Sequence, residues 1–242
     1  MSFFDSHGGG RPETYAAALA AAGGSGGCLQ GMPGVSPGLL FEAARGFPAL
    51  LPIPAWPAAQ APVEATLDAF HALGAAGLHL HPRGCGAGVM PHLPRIFQGA
   101  AARGLAVFFC TYAFAPAAQR LPPDPLPALV EALAEAPGLR LVLLHGGGVD
   151  LLRHAEFTRA NPGVLLDLSF TLMKYAGSSI DLDMAFLARS FDQRLCLGSD
   201  FPDYTPAEVL ARLDALLPDL PPGKRQNIAE KNLRRFLQRD AA

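Results

Sequence analysis

Eight short apolar runs punctuate the chain, separated by longer Ala/Leu-rich stretches. They are "SFFDSH" near 2–7, "GCLQG" near 27–31, "ALLPIPA" near 49–55, "GLHLHP" near 77–82, "LAVFFCTY" near 105–112, "RLVLLHG" near 140–146, "GVLLDLSF" near 163–170 and "RLCLGSD" near 194–200. Short, continuously apolar runs read as strands covered on both faces. Between them, "PVEATLDAFHALGAAG", "PHLPRIFQGAAARG", "DPLPALVEALAEAPG" and "TPAEVLARLDALL" carry the spacing of amphipathic helices, and the first three stop at glycine. The last opens with Thr205, Pro206 at the first helical position and Glu208, the arrangement of a capping box. The second strand is glycine-rich and the third is interrupted by Pro52 and Pro54, so these two are the weakest. "NIAEKNLRRFLQR" predicts a closing helix.

Strands alternating with helices imply a parallel sheet. Eight units in 242 residues predict a single (β/α)8 barrel spanning 1–242, since such barrels run to about 250 residues. No G-x-G-x-x-G follows the first strand, which speaks against a dinucleotide fold. The chain is 50% hydrophobic with a formal net charge of −2. That balance, with no basic stripe of interleaved aromatics, excludes a nucleic-acid surface as the expectation. Cys28, Cys85, Cys110 and Cys196 lack C-x-x-C spacing, so no disulfide framework is expected, and Cys28 and Cys196 are read as core residues. No segment is apolar enough to span a membrane, and the N-terminus lacks a signal pattern, which predicts a cytoplasmic protein.

The strands share a polarity along their length. All but the third are apolar at the start and polar at the finish, with His7, Gln30, His81, Cys110 and Tyr112, His145, Ser169 and Asp200 at their ends. Barrel chemistry is carried at the C-terminal ends of the strands. Imidazoles and a carboxylate arriving on four different strands therefore predict one shared site.

Taken in order, "FFDSH", "GLHLHP", "LLHGGG", "GSDFP" and "IAEKNLRRFL" resemble the successive motifs of the amidohydrolase superfamily, in the branch of amidohydrolase-related hydrolases and aminocarboxymuconate-semialdehyde decarboxylases. The resemblance implies a barrel whose first strand ends in an H-x-H pair of ligands for a divalent metal, usually zinc. It further implies a histidine ligand on the fifth strand, a proton-transferring histidine on the sixth and an aspartate on the eighth. By position, His7 matches the first ligand, His145 the sixth-strand histidine and Asp200 the aspartate. Gly9 stands where the second histidine of the pair belongs, and Cys110 where the fifth-strand histidine belongs.

The expected metal ligands are therefore His7, Asp200 and Cys110, the last as a thiolate replacement. This set is short of the usual three ligands plus one, so zinc-dependent and metal-free chemistry both stay open. His145 and Asp200 are the expected catalytic pair. His79 and His81 alternate with Leu78 and Leu80 and point inward; with Arg83 and Tyr112 they are the expected substrate-binding residues. Packing roles compete with each of these assignments. Asp5 shares a face with His7 and is read as an acceptor orienting it, while His71, His92 and His154 are expected at the surface or an interface. The implied activity is hydrolysis of a small carboxylate-bearing amide, ester or lactone. A metal-free lactonase-like or decarboxylating (lyase) enzyme, or a barrel that binds a small molecule and catalyses nothing, remain as alternatives. The chain is short for the family, so a homodimer that completes the pocket is one further expectation.

Overall fold

The structure, a computed structural model, describes residues 2–122 and 124–237. Its strands are β1 (Phe4–Gly8), β2 (Gly26–Gln30), β3 (Leu50–Ile53), β4 (Gly77–Leu80), β5 (Ala106–Cys110), β6 (Leu141–Leu144), β7 (Val164–Asp167) and β8 (Leu195–Cys196). Each coincides with the corresponding apolar run, β1 and β2 reaching one residue beyond it at Gly8 and Gly26. All pair in parallel, in two arcs, β1–β2–β3 and β4 through β8. With the helices between them, they form a (β/α)8 barrel.

Two seams join the arcs. At the first, the His79 N–H donates to the Pro54 carbonyl and the Trp56 N–H to the His79 carbonyl, both at 2.8 Å. Pro52 and Pro54 have no N–H to give, which limits pairing here to isolated bonds. At the second, the Ser6 N–H donates to Leu197 at 3.1 Å, Asp200 to His7 at 2.7 Å and Gly9 to Phe201 at 2.8 Å. The buried Asp5 carboxylate reinforces this seam, accepting from the backbone N–H groups of Ser199 at 2.8 Å and His7 at 3.0 Å. Asp5 thus positions His7 through its backbone, while the His7 ring is left to the site.

Side chains alternate between two packing layers, as a period of two requires. Val107, Phe109, Leu141 and Leu143 pack outward against the helices. Phe108, Val142 and Leu144 fill the barrel interior with Cys28 and Cys196. All four cysteines are free and buried. Since Leu78 and Leu80 face outward, His79 between them faces in. The capping box at Thr205 forms, with Glu208 N–H donating to Thr205 Oγ1 at 3.3 Å and Thr205 N–H to Glu208 Oε2 at 2.7 Å.

Two expectations need correction. The closing segment is not one regular helix: Pro222–Gln226 passes through a wide turn at Asn227–Lys231 into Asn232–Leu237. The remainder of the predicted helix, from Gln238, lies outside the described residues. His154 is buried at 3% exposure, because Gly147 leaves the space that its ring fills. Among the described residues, no helix is long and apolar enough to cross a membrane.

Candidate active site

His7 ends β1, His145 follows β6 and Asp200 follows β8. Their ligating atoms all lie within 4.8 Å of one another, the one such group of three among the described residues. His7 Nδ1 is 2.6 Å from Asp200 Oδ1, although the N–H axis does not point along that contact. The His7 and His145 rings meet edge to face with centroids 5.0 Å apart. His79 stands 5.7 Å from His7, and His81 a further 5.5 Å from His79. A cavity of about 370 Å³ opens over these groups, and Arg83 and Gln30 also line it.

The backbone at the rim is strained. His145 and Asp200 adopt left-handed φ values of 67° and 58°, which cost a non-glycine residue on the order of 1 kcal/mol each. The bonds around them compensate. The His145 N–H donates to Asp167 Oδ2 at 3.1 Å and its carbonyl accepts from Thr171 Oγ1 at 2.6 Å. Asp200 is held by its N–H on the His7 carbonyl.

A relay fixes the His145 tautomer. The Ser169 hydroxyl donates to Asp167 Oδ2, so its oxygen is free to accept from His145 Nδ1–H at 3.1 Å. That leaves Nε2 with its lone pair. Asp167 also receives Ser6 Oγ, which ties the relay to β1. Ser6, Asp167 and Ser169 are fully buried. Sequence reasoning placed Ser169 at a strand end but passed over Ser6 and Asp167; the one available signal was an acid inside the apolar run "LLDLSF".

Burial, followed by repulsion from His7, pushes the His145 pKa down to about 3. Burial and then the Arg83 charge bring His81 to about 4, and burial with His7 lowers His79 well below the ordinary imidazole value. At neutral pH these three rings are uncharged. His7 behaves oppositely: burial alone would lower it, but the Asp200 charge, supported by Asp167 and Asp5, raises it. Asp200, which burial alone would raise, is held by His7 below the usual carboxylate range. Burial pushes Asp5 up to about 7 against its Ser199 bonds.

His79 Nδ1 lies 3.0 Å from the Gly31 carbonyl, an acceptor only, so Nδ1 carries the proton. Its buried Nε2 has no partner. The guanidinium of Arg83 sits 4.9 Å above the Tyr112 ring. Cys110 lies outside the His7–His145–Asp200 group. It lines a separate apolar hollow with Tyr112, and burial, only partly offset by Arg83 beside it, raises its thiol pKa. A thiolate ligand needs the reverse. Thus His7, His79, His81, Arg83, His145 and Asp200 share the cavity, whereas Cys110 and Tyr112 are not among the residues that line it.

Two imidazoles and a carboxylate, one imidazole with its lone pair freed by a buried relay, fit a divalent metal ion bound through three protein donors.

A family model described as amidohydrolase matches residues 36–239, beginning after His7. The fold is similar to that of an uncharacterised TIM-barrel protein from Bordetella bronchiseptica, at a TM-score of 0.77 and 18% identity over 98% of each chain. It is also similar to 5-carboxyvanillate decarboxylase from Sphingomonas paucimobilis, at 0.65 and 13%, over 91% of this chain and 81% of that one. For 4-oxalomesaconate hydratase from Rhodopseudomonas palustris the values are 0.62 and 12%, over 97% and 95%. Among curated proteins nothing matches.

Proposed function

The chain belongs to the amidohydrolase family, and we propose that it hydrolyses a small carboxylate-bearing amide, ester or lactone at the mouth of its barrel. The observation that carries this reading is the convergence of His7, His145 and Asp200 beneath one cavity. In it, Arg83 and His81 bind the substrate carboxylate, and His79 Nε2 accepts a hydrogen bond from the substrate. The ionised Asp200 takes a proton from water, and the resulting hydroxide adds to the carbonyl carbon. When the C–N or C–O bond breaks, the leaving atom receives the proton that Asp200 took from water, passed by way of His145 Nε2 where no metal takes up that lone pair. A divalent metal, with zinc suited to these donors, would be held by His7, His145 and Asp200 and would polarise the carbonyl and acidify water.

A metal-free form of the same reaction is the second reading. It is favoured by the 2.6 Å contact that sets the Asp200 charge against His7, and by Gly9, which offers no donor. Metal content of protein purified without added metal separates the two. The reading itself is tested on a panel of carboxylate-bearing lactones, esters and amides. Wild-type protein turns over at least one member, and Asp200→Asn and His145→Asn each lose at least 100-fold with unchanged melting. Full activity in both variants refutes the assignment.

A further inference from the structure

Lys174, in the short helix Thr171–Lys174 after β7, has no role in the scheme above. Its Nζ lies 5.0 Å from the Phe170 ring centroid and 5.6 Å from that of Tyr112. Arg83 occupies the same Tyr112 ring, at 4.9 Å. Two cations from different connections thus share one aromatic side chain, and one of them, Arg83, lines the cavity. Phe170 in turn stacks edge to face on His145 at 5.6 Å, which ties this cluster to the reacting groups.

Neither cation has a carboxylate within ion-pair distance among the described residues. The chain's other cation–ring contacts are built differently. Arg159 lies over Phe191 and also holds Glu156, and Arg234 lies over Phe4 and also holds Glu230. Among the described residues that make such contacts, only Arg83 and Lys174 go without an acid. A ring quadrupole orients a cation but leaves its charge in place, and two like charges around one ring raise the local potential that an anion meets. Arg83 Nε is also buried without a partner, an unmet donor at the cavity wall. Of the cavity acids, Asp200 is committed to His7, and Asp203 belongs to the Phe201–Pro202 side without pairing to either cation.

We propose that Arg83, Tyr112 and Lys174 form a two-cation subsite, and that the substrate is a dianion carrying two separated carboxylates. Arg83 receives one inside the cavity, and Lys174 receives the other at the rim. The idea rests on the cavity being the substrate site, and it adds the substrate's charge and the residue that reads it.

Equilibrium binding tests it without turnover. Unbranched diacids from malonate to adipate, and the monoacids of equal carbon number, are titrated calorimetrically into wild type, Lys174→Met and Arg83→Met at fixed metal content. At least one diacid is expected to bind tenfold or more tighter than its monoacid, with the advantage shrinking as salt rises. Lys174→Met, which keeps an apolar stem at an exposed position, should erase that advantage and leave monoacid binding unchanged. Arg83→Met should weaken both by tenfold or more. Equal affinity for diacids and monoacids, an advantage that survives Lys174→Met, or no binding of any acid overturns the proposal. Binding that persists in Asp200→Asn keeps this result separate from the catalytic assignment.

Discussion

Replacing Ser169 by alanine tests whether the buried relay works through His145 or only supports the fold. The hydroxyl bridges His145 Nδ1 and Asp167 Oδ2. Without it, Asp167 keeps Ser6 Oγ and the backbone N–H groups of His145 and Ser169. The His145 Nδ1–H, in a residue only 4% exposed, loses its partner. An unmet buried donor costs about 1–3 kcal/mol, or about 2–4 °C in Tm per kcal/mol at this chain length. The imidazole can avoid that cost by moving its proton to Nε2, which removes the lone pair from the cavity. Losing such a supporting bond lowers metal affinity or activity by about 10–100-fold. Two assays read the effect: competition against a chromophoric chelator for zinc affinity, and nitrogen-15 NMR of the imidazole for the tautomer. Ser169→Thr, which retains the hydroxyl, should restore both. A variant that melts lower while keeping the Nδ1–H tautomer and zinc affinity within about twofold refutes the relay.

Further outcomes follow from particular positions. Gly147 has φ +80°, and an added Cβ would lie 2.0 Å from His154 Nδ1. Gly147→Ala should therefore cost about 2–4 kcal/mol and lower Tm by on the order of 10 °C, measured by calorimetry. At Gly9 an added Cβ meets nothing nearer than 3.5 Å, and the backbone there is not left-handed. Gly9→His should thus fold and bind zinc at least about tenfold tighter by restoring a donor on β1; unchanged affinity would show that this position does not face the ion. The pKa of buried His154 is lowered in the folded state, chiefly by burial. The unfolded chain therefore binds a proton first, and this contribution to stability is intact above about pH 6.5 and lost as pH falls below it, by up to about 1.4 kcal/mol per pH unit. Denaturant titrations at pH 7.5 and 5.5 should show that loss in wild type and less of it in His154→Gln.

All eight strands could be read from sequence because a barrel strand is buried on both sides and shows as an apolar run even when short. β8 pairs over only two residues, yet "RLCLGSD" still marks it. The polar ends of β1, β4, β6 and β8 were legible for the same reason, since a polar residue at the end of such a run needs an explanation. What escaped depends on pairing across the chain. Ser6 and Asp167 are 161 residues apart and meet only when β1 and β7 close into a ring. His154 was expected at the surface or an interface, but Gly147, with no side chain, leaves the space that its ring fills. Cys110 was aligned correctly with β5, but sequence position carries no information on which neighbour its thiol would face. That neighbour is Arg83, and burial beside it keeps the thiol protonated.

The placement of charge around the cavity gives the departure at position 110 a consequence. Donor atoms that fit a metal come from β1, β6 and β8, and the Asp5 and Asp167 carboxylates lie beneath them. Positive charge comes from the segments after β4 and β7, where Arg83 and Lys174 both approach the ring of Tyr112, just after β5. A histidine at 110 would add a donor on the cationic side, next to Arg83, where repulsion between a bound metal and the guanidinium would weaken both. An uncharged thiol avoids that conflict and leaves Arg83 free for an anion. The cavity is thus polarised from one wall to the other. Under the proposed function, a substrate with a carbonyl at one end and carboxylate charge at the other is favoured in one direction, with the carbonyl over His7 and Asp200. Reversal would set a carboxylate against Asp200 and leave Arg83 without a partner, and at about 4 Å a pair of like charges costs on the order of 4 kcal/mol at a protein surface. Under that proposal, charge alone orients the substrate so that one end meets the reacting groups.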